Sequence, residues 1–266
     1  MPSSLSEAFQ SYSAVIITGG SSGLGRAFIR NALKMHPEAR ICNLSRTAPE
    51  SFSGEKSLQH IPCDLARETE VDQVNAWLEG TPHGRVLLIN NSGFGAYGPF
   101  PEPNLSRHLE MIDVNIRGLV HLTGRLLPRI RERGGVVMTI ASTAGFQPMP
   151  YTATYAATKA FVLHWTLALN EELRGTSVRA LAVCPGPVDT NFFRAGGMGD
   201  VVPPWSMTAD AVVAAAMRAA ARGRAQVTPG WKNRVVGAVV GRLPKPFAAR
   251  IAAKFVARFR LNKAGA

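Results

Sequence analysis

This 266-residue chain has few cysteines, few long apolar runs and few acids near its C-terminus, and each shortage excludes a class of protein. The three cysteines, Cys42, Cys63 and Cys184, lie far apart in apolar segments. This predicts buried free thiols in a reducing compartment, with neither a disulfide framework nor a metal site. No run of eighteen apolar residues occurs, so no membrane-spanning helix is expected. Residues 1–13 lack a basic stretch followed by an apolar one, which argues against a secretory signal and favours a cytoplasmic location.

The acidic residues are missing from one end of the chain. The net charge is +12, but residues 1–200 hold eighteen Lys/Arg and seventeen acids. From Val201 onward, twelve Lys/Arg accompany a single acid, Asp210. A near-neutral main body does not indicate a nucleic-acid-binding surface, so no nucleic-acid partner is predicted. The excess predicts a locally basic C-terminal segment.

Short apolar runs alternate with helical segments along most of the chain. The predicted strands are residues 13–17, 40–44, 58–63, 85–91, 135–141, 178–183 and 225–228, and the predicted helices are residues 26–35, 67–79, 104–133, 152–173 and 208–222. This alternation predicts an α/β fold, a doubly wound, mostly parallel seven-stranded sheet with helices on both faces. Pro128 should kink or end the long helix. A ligand is expected at the carboxyl ends of the strands.

A glycine-rich turn joins the first strand to the first of these helices. It reads Thr18-Gly19-Gly20-Ser21-Ser22-Gly23-Leu24-Gly25. Glycines let a backbone approach a pyrophosphate closely, and a helix N-terminus presents free N–H groups and a positive dipole end. The turn is therefore interpreted as a dinucleotide cradle, the alternative being a glycine-rich turn without a ligand.

The ends of the second and third strands carry polar residues that bear on the nucleotide. Ser45-Arg46 stands where an NAD-selective site would carry an acid for the ribose 2′-hydroxyl, and an Arg with a hydroxyl suits a 2′-phosphate instead. This predicts NADP, with NAD the weaker alternative. Asp64 has two interpretations of equal weight: it accepts a hydrogen bond from adenine, or it caps a helix that starts near Ala66.

Tyr155 and Lys159 lie four residues apart, one helical turn, and so share a helix face. An ammonium beside a phenol stabilises the phenolate, so Lys159 is expected to lower the pKa of Tyr155. Ser142 follows the apolar run of residues 136–140 and could direct its hydroxyl at a carbonyl that Tyr155 protonates. Asn115 lies within the predicted long helix, where it either faces solvent or organises water at a local irregularity.

With these motifs placed, residues 14–228 resemble a short-chain dehydrogenase/reductase. The resemblance is carried by Thr18-Gly19-x-x-x-Gly23-x-Gly25, Asp64-Leu65, Asn90-Asn91-Ser92-Gly93, Asn115, Ser142, Tyr155-x-x-x-Lys159 and Pro185-Gly186-Pro187-Val188-Asp189-Thr190. Ser92 replaces the usual Ala, and the glycine-rich turn lacks the basic residue of many NADP-using members.

The resemblance implies a Rossmann-type fold and a role for each motif. Tyr155 would be the general acid/base, Ser142 would polarise the substrate carbonyl, and Lys159 would hold the nicotinamide ribose. Asn115 would hold a water that relays protons towards Lys159. The implied cofactor contacts are Thr18, Gly19, Ser21, Ser22, Gly23, Leu24, Gly25, Ser45, Arg46, Asp64, Leu65, Asn91, Ser92, Gly93, Tyr155, Lys159, Pro185, Gly186, Val188 and Thr190.

The residues expected to line the substrate pocket are mostly apolar and include no Lys or Arg. They are Phe94, Tyr97, Phe146, Met149, Tyr151, Phe192, Phe193, Met198 and Trp205. Several of them lie in the long loop of residues 191–206, which resembles a lid over an apolar ligand. A hydrophobic ketone or alcohol is therefore predicted, although any one of these residues could equally be core packing.

Residues 231–266 extend beyond the catalytic domain of residues 1–230, as a helical part of the same domain. Phe247, Ile251, Phe255, Val256 and Phe259 recur at helical spacing, and Arg250, Lys254 and Arg258 fall four apart on another side. Such a basic amphipathic helix either lies on an anionic membrane surface or packs on its own domain or a second subunit.

The sequence thus predicts an NADP-dependent oxidoreductase that transfers hydride between nicotinamide and a carbonyl or secondary alcohol. A rival is a 3-oxoacyl-thioester reductase of lipid metabolism, whose basic end would meet an acidic acyl carrier. A rival of another class is a non-catalytic NADPH-sensing or scaffold module. The family resemblance also implies a homodimer or homotetramer.

Overall fold

Seven parallel strands form the central sheet of the protein. The computed structural model describes residues 4–67, 72–197, 199 and 203–261, with the backbone alone at residues 72 and 258–261. The strands are β1 Ala14–Thr18, β2 Arg40–Ser45, β3 Leu58–Pro62, β4 Val86–Asn90, β5 Gly135–Ile140, β6 Val178–Val183 and β7 Gln226–Val227. Their order is β3-β2-β1-β4-β5-β6-β7, so the predicted doubly wound parallel fold is confirmed.

Helices cover both faces of this sheet. They are α1 Leu5–Gln10, α2 Gly23–Met35, α3 Asp72–Glu79, α4 Leu105–Ile112, α5 Leu119–Arg133, α6 Ala153–Glu172, α7 Phe192–Ala195, α8 Ala209–Ala221, α9 Trp231–Arg242 and α10 Lys245–Leu261. A π-helical segment, Asp113–Gly118, joins α4 to α5, and 3₁₀ turns occur at Glu50–Phe52 and Thr143–Phe146. Val71, which belongs to the helix predicted at residues 67–79, lies outside the described residues.

The strands at the centre of the sheet are buried on both sides. Every residue of β1, β4 and β5 is buried, which explains why their sequences are continuous apolar runs without alternation. Along β1, Val15 and Ile17 enter one core with α1, α2 and α8, while Ala14 and Ile16 enter the core on the opposite face. The two cores hold the sheet rigidly, and its carboxyl edge is left to the loops.

The strand order reverses between β1 and β4, which are hydrogen-bonded neighbours. The chain leaves β1 towards β2 on one side, and it leaves β4 towards β5 on the other. The loops after these two strands therefore diverge and leave a crevice at the carboxyl edge, the position where open α/β sheets bind ligands.

Two local predictions need correction. Pro128 does not end its helix, because α5 continues to Arg133, and a kink at Pro128 stays a prediction. Its neighbours Leu126 and Ile130 are fully buried, and this packing outweighs the loss of one backbone hydrogen bond. The segment of residues 191–206 is not a plain loop either, because it contains the short helix α7.

The C-terminal helices pack on the catalytic part of the chain. Ala248, Ala252 and Val256 form the buried side of α10. The Tyr97 hydroxyl donates to the Val256 carbonyl at 3.2 Å, and Lys245 Nζ donates to the Phe146 carbonyl at 3.1 Å. The docking alternative is thus correct for one side of α10. Among the described residues, no helix combines the length and the hydropathy needed to cross a membrane.

Candidate active site

Ser142, Tyr155 and Lys159 meet at the carboxyl edge of the sheet. Ser142 follows β5 and begins the 3₁₀ turn, where its hydroxyl accepts a hydrogen bond from the Ala144 amide at 3.1 Å. Tyr155 and Lys159 lie one turn apart on α6, close to its N-terminus. The Tyr155 phenol is also hydrogen-bonded to Ser142. The strand end and the helix together hold all three side chains in one cluster, as predicted.

Burial sets the protonation of this cluster. It raises the pKa of Tyr155 to about 12, against a smaller lowering by the hydrogen bond to Ser142. It lowers the pKa of Lys159 to about 8, a shift that the neighbouring Cys184 thiol opposes. The predicted lowering of the Tyr155 pKa by Lys159 is therefore wrong for this structure. Lys159 Nζ lies 5.8 Å from the centre of the Tyr155 ring and donates to the Ile140 carbonyl at 2.7 Å instead.

Asn115 is buried in the π-helical segment, so the interpretation that it faces solvent is wrong. Its amide nitrogen donates to the Phe94 carbonyl and to Thr158 Oγ1, both at 3.0 Å. Its oxygen accepts from the Phe94 amide at 3.1 Å. A Cβ atom at Gly93 would lie 2.9 Å from that oxygen and 3.4 Å from Lys159 Nζ. Asn115 thus ties the loop after β4 to α6 beside Lys159, at the predicted irregularity.

The glycine-rich turn leaves little room for side chains. Gly19 has a φ of +69°, which favours glycine, and a Cβ atom at Gly25 would lie 2.2 Å from the Gly19 carbonyl oxygen. Leu24 packs against the core, whereas Ser22, the N-cap of α2, makes no capping hydrogen bond with its side chain. Ser21 lies beside it, half-buried. The backbone at the N-terminus of α2 is therefore open to an anion.

Thr18 and Asn91 join the ends of β1 and β4 beneath this turn. Thr18 Oγ1 accepts from the amides of Asn91 and Ser92 at 2.9 and 2.8 Å. The Asn91 side chain donates to the Thr18 carbonyl at 2.9 Å. Thr190 borders the turn from the loop after β6, 3.5 Å from a Cβ atom at Gly23. Thr18 and Asn91 thus direct their polar groups to each other and shape the crevice.

The two polar residues after β2 differ in orientation. Arg46 is exposed and pairs loosely with Glu110 of α4 at 3.6 Å. Ser45 is buried, and its hydroxyl donates to the Thr47 carbonyl at 2.7 Å and accepts from Asn43 at 2.8 Å. The expectation that the Ser45 hydroxyl faces a 2′-phosphate is therefore not met, because that hydroxyl is engaged inside the protein. Arg46 remains available at the edge.

Asn43 is a positioning residue that the sequence did not reveal. Its oxygen accepts the Gly20 amide at 2.8 Å, and its nitrogen donates to Ser45 Oγ and approaches His60 Nδ1 at 3.0 Å. The side chain is fully buried. A polar residue inside the otherwise apolar β2 run was the signal, because a buried amide requires partners. Asn43 links the glycine-rich turn to the strand end that carries Arg46.

The other predicted cofactor residues frame the crevice. The Asp64 carboxylate accepts a hydrogen bond from the Ala66 amide at 3.1 Å, which fits the interpretation that Asp64 is a cap, although the capped segment is a turn. The alternative, a contact with adenine, stays a prediction. Leu65 lies against Gly118 of the π segment, where a Cβ atom would be 2.3 Å from its carbonyl oxygen. The Pro185 carbonyl accepts from the Thr143 amide at 2.9 Å, and Val188 forms a parallel β-bridge with Met207. Gly186 lies against the Asn233 side chain of α9.

Part of the predicted aromatic pocket gathers around Tyr155. The Phe192 ring lies 5.4 Å from the Tyr155 ring and 6.0 Å from the Phe193 ring. Tyr97 and Tyr151 form a pair at 6.4 Å, and Tyr151 has a positive φ of 66°. Met149 is half-buried next to them, and Met198 lies outside the described residues.

Three other pocket residues make contacts that the sequence did not predict. Phe146 packs against Gly237 of α9, and Trp205 stacks on Phe255 of α10 at 5.8 Å, so both face the C-terminal helices. The Arg107 guanidinium lies 3.8 Å from the centre of the Phe94 ring. A cation thus adjoins a pocket that was expected to have none.

His108 holds the loop in front of this pocket. Its Nε2 lies 2.8 Å from the Glu102 carbonyl and its Nδ1 lies 2.9 Å from Thr154 Oγ1. Because a carbonyl only accepts, Nε2 carries a proton, and neutral His108 then accepts from Thr154 through Nδ1. This buried clamp ties residues 99–103 to the start of α6. A single histidine in a helix gave no sequence signal for it.

Comparison with known proteins shows the family. The family model described as short chain dehydrogenase matches residues 13–197. Serine 3-dehydrogenase of Rhizobium radiobacter is 31% identical over 194 residues, covering 69% of this chain and 76% of that protein. Sulfoacetaldehyde reductase 2 of Chromohalobacter salexigens is 34% identical over 196 residues, with the same two coverages.

Solved structures agree on the fold. A short-chain dehydrogenase from Sphingobium yanoikuyae in complex with NADPH superposes with a TM-score of 0.72 at 26% identity, covering 86% of this chain and 93% of that one. A short chain dehydrogenase from Burkholderia cenocepacia in complex with NADP gives 0.75 at 23% identity, covering 87% and 94%.

Fold and matches together define a nicotinamide-dependent oxidoreductase that acts on alcohol or carbonyl groups. The chain belongs to the short-chain dehydrogenase family.

Proposed function

We propose that the protein is an NADP-dependent reductase of hydrophobic carbonyl compounds, or the corresponding alcohol dehydrogenase, with Tyr155 as its acid/base. The cluster of Ser142, Tyr155 and Lys159 at the carboxyl edge of the sheet carries this proposal. Phe192 packs on Tyr155 and favours an apolar substrate next to the phenol. Two half-buried aromatic residues, Tyr97 and Tyr151, extend that apolar surface.

The residues around the crevice fit a dinucleotide. The close approach of Gly25 to Gly19 gives a turn without side chains, and the amides at the N-terminus of α2 suit a pyrophosphate. Arg46 offers an exposed guanidinium for a 2′-phosphate at the end of β2. Bound NADPH supplies the hydride for carbonyl reduction. Binding it there requires Arg46 to exchange its loose contact with Glu110 for the phosphate.

Tyr155 is suited to give a proton to the substrate oxygen during reduction. Its raised pKa keeps the phenol protonated at neutral pH, and Ser142 lies within hydrogen-bond reach to polarise the same oxygen. Lys159, with a pKa of about 8, is mostly a cation at pH 7, and its proposed role is to hold the nicotinamide ribose. Asn115 keeps the loop of Gly93 and Phe94 in position beside Lys159.

The proposal extends to the whole chain. Residues 231–266 are proposed to form one domain with residues 1–230, and the burial of Ala248, Ala252 and Val256 on α10 supports this. The protein is proposed to act in the cytoplasm as a homodimer or homotetramer.

A 3-oxoacyl-thioester reductase is the second candidate. The observation that favours it is the charge of residues 231–266, which include nine Lys/Arg and no acid and could contact an acidic acyl carrier. A very-long-chain 3-oxoacyl-CoA reductase of Anas platyrhynchos is 31% identical over 191 residues, covering 66% of this chain and 60% of that protein. A purely sensing or scaffold role is disfavoured, because it would not require Ser142, Tyr155 and Lys159 together.

Loss of NADPH absorbance with a panel of carbonyl compounds tests the proposal. The panel contains apolar ketones, polar sugars and a 3-oxoacyl thioester, each with NADPH and with NADH. We expect the highest kcat/KM with an apolar ketone and NADPH. A preference for the thioester would select the second candidate. Sugars as the best substrates, or NADPH binding without turnover of any carbonyl compound, would contradict the proposal.

A further inference from the structure

The last two helices leave apolar side chains on the outside of the protein. Phe247, Ile251 and Phe255 of α10 are 51%, 46% and 45% exposed, although Ala248, Ala252 and Val256 of the same helix are buried. In α9, Trp231, Val235 and Val239 recur every four residues and are also exposed. In α10, Phe247, Ile251 and Phe255 are thus exposed, whereas two alanines and Val256 are buried. We call Phe247, Ile251 and Phe255 the C-terminal apolar surface; the exposed residues of α9 precede it in the chain.

Basic residues are interleaved with this surface rather than placed on another side, which corrects the sequence prediction for Arg250 and Lys254. At 3.6 residues per turn, both fall within the same arc of about 140° as Phe247, Ile251 and Phe255. Both are exposed. In α9, Lys232 Nζ lies 5.7 Å from the centre of the exposed Trp231 ring. Arg258 and Phe259, the remaining predicted members, have no described side chains.

We propose that the C-terminal apolar surface, with its interleaved cations, docks on an anionic lipid bilayer. Exposed aromatic and aliphatic residues among Lys and Arg are the pattern of a helix that lies in a membrane interface. The apolar groups enter the boundary between headgroups and acyl chains, while the cations meet lipid phosphates. No acid occurs anywhere in residues 231–266 to oppose this attraction.

Charge also argues against a second copy of the chain on this surface. Residues 231–266 carry nine Lys/Arg, and two identical surfaces facing each other would bring these like charges together. An acidic protein would satisfy the cations but would not need so many exposed apolar side chains between them. The bilayer satisfies both features at once. The proposal does not depend on the substrate of the crevice, because Phe247, Arg250, Ile251 and Lys254, which the test replaces, are exposed side chains of α10 outside the catalytic cluster.

Sedimentation with lipid vesicles tests the proposal on the full-length protein. Wild type is expected to bind phosphatidylcholine vesicles that contain phosphatidylglycerol, to ignore pure phosphatidylcholine, and to bind less as salt is added. Phe247→Ser/Ile251→Ser and Arg250→Glu/Lys254→Glu should each weaken binding at least about tenfold. The matched control is Leu105→Ser/Leu109→Ser, which removes two equally exposed apolar residues from α4 and should bind like wild type.

Two further measurements complete the design: light scattering for the oligomeric state, and turnover of a soluble carbonyl substrate for activity. All three double variants should keep the turnover of wild type in solution. Failure of the lipid-binding proposal is therefore distinguishable from failure of the proposed function. Equal binding to neutral vesicles, or binding by the α10 variants as tight as that of wild type, overturns the proposal. It is also overturned if wild type binds neither kind of vesicle. In that case, loss of a subunit contact, or of binding to an acidic acyl carrier protein, by the α10 variants alone would identify the occupant of the surface.

Discussion

The catalytic edge and the C-terminal helices differ in whether charged and apolar side chains are buried or exposed. At the edge, a lysine is buried and Phe192 packs on a tyrosine; on α10, Phe247 and Phe255 are exposed, and so are Lys245, Arg250 and Lys254. Burying Lys159 costs free energy and shifts its pKa, which is typical of a site tuned for chemistry. Exposing Phe247 and Ile251 is typical of a surface that awaits a partner. Burial therefore distinguishes the two kinds of function in this chain.

The largest expected effect concerns the acid at the catalytic edge. Tyr155→Phe should lower kcat about a hundred- to ten-thousand-fold, because the ring remains but the proton donor is lost. NADPH binding, measured by fluorescence, should be almost unchanged. Turnover close to wild type would show that another group supplies the proton.

A pair of neighbouring substitutions contrasts the two sides of α10. Ala248→Asp should lower the free energy of unfolding by about 3 kcal/mol, because it places an unpaired carboxylate on the buried side. Phe247→Asp, one residue away and exposed, should change it by less than about 0.5 kcal/mol. Urea unfolding measures both. Equal losses would contradict the described docking of the helix.

The choice of nucleotide should depend on Arg46. Arg46→Asp should raise the KM for NADPH relative to NADH roughly ten- to hundredfold, the value of one or two charge-assisted hydrogen bonds. Arg40→Asp is the matched control, because Arg40 is exposed on the same strand at its opposite end. An unchanged ratio in Arg46→Asp, or an equal change in Arg40→Asp, would assign selectivity elsewhere.

The last prediction is a pH dependence of stability to which the buried lysine contributes. The pKa of Lys159 is about 8 in the folded chain and 10.5 in its ordinary state, so the unfolded chain binds more protons between these values. The contribution of Lys159 to the free energy of unfolding should therefore rise with pH across this window, by up to about 1.4 kcal/mol per pH unit. Lys159→Met should lack this rise.

Both proteins are best compared with Cys184→Ser present, because the Cys184 thiol and Lys159 act on each other electrostatically. Urea unfolding at several pH values from 7 to 10.5 gives the two curves. Parallel curves would mean that Lys159 is no harder to charge in the folded protein than in water.

The sequence was sufficient wherever local chemistry and tertiary packing agree. Buried apolar runs such as residues 14–18 became strands, and Thr208 caps α8 as predicted. It was insufficient where distant groups decide. The protonation of Tyr155 depends on burial that only the assembled fold provides, and the direction of the Ser45 hydroxyl depends on Asn43. Pro128 stays helical because Leu126 and Ile130 are buried around it. The amphipathic pattern of α10 was recognised, but of its predicted apolar residues Val256 is buried, together with two alanines, while Phe247, Ile251 and Phe255 are exposed.

The hydrogen bond from Tyr97 to the Val256 carbonyl has an evolutionary consequence. It connects a loop beside the reactive phenol to the last helix of the chain. Substitutions in that helix can therefore reshape what the enzyme accepts while Ser142, Tyr155 and Lys159 stay untouched. A directed-evolution library confined to residues 245–257 should yield variants with altered selectivity and an intact catalytic cluster.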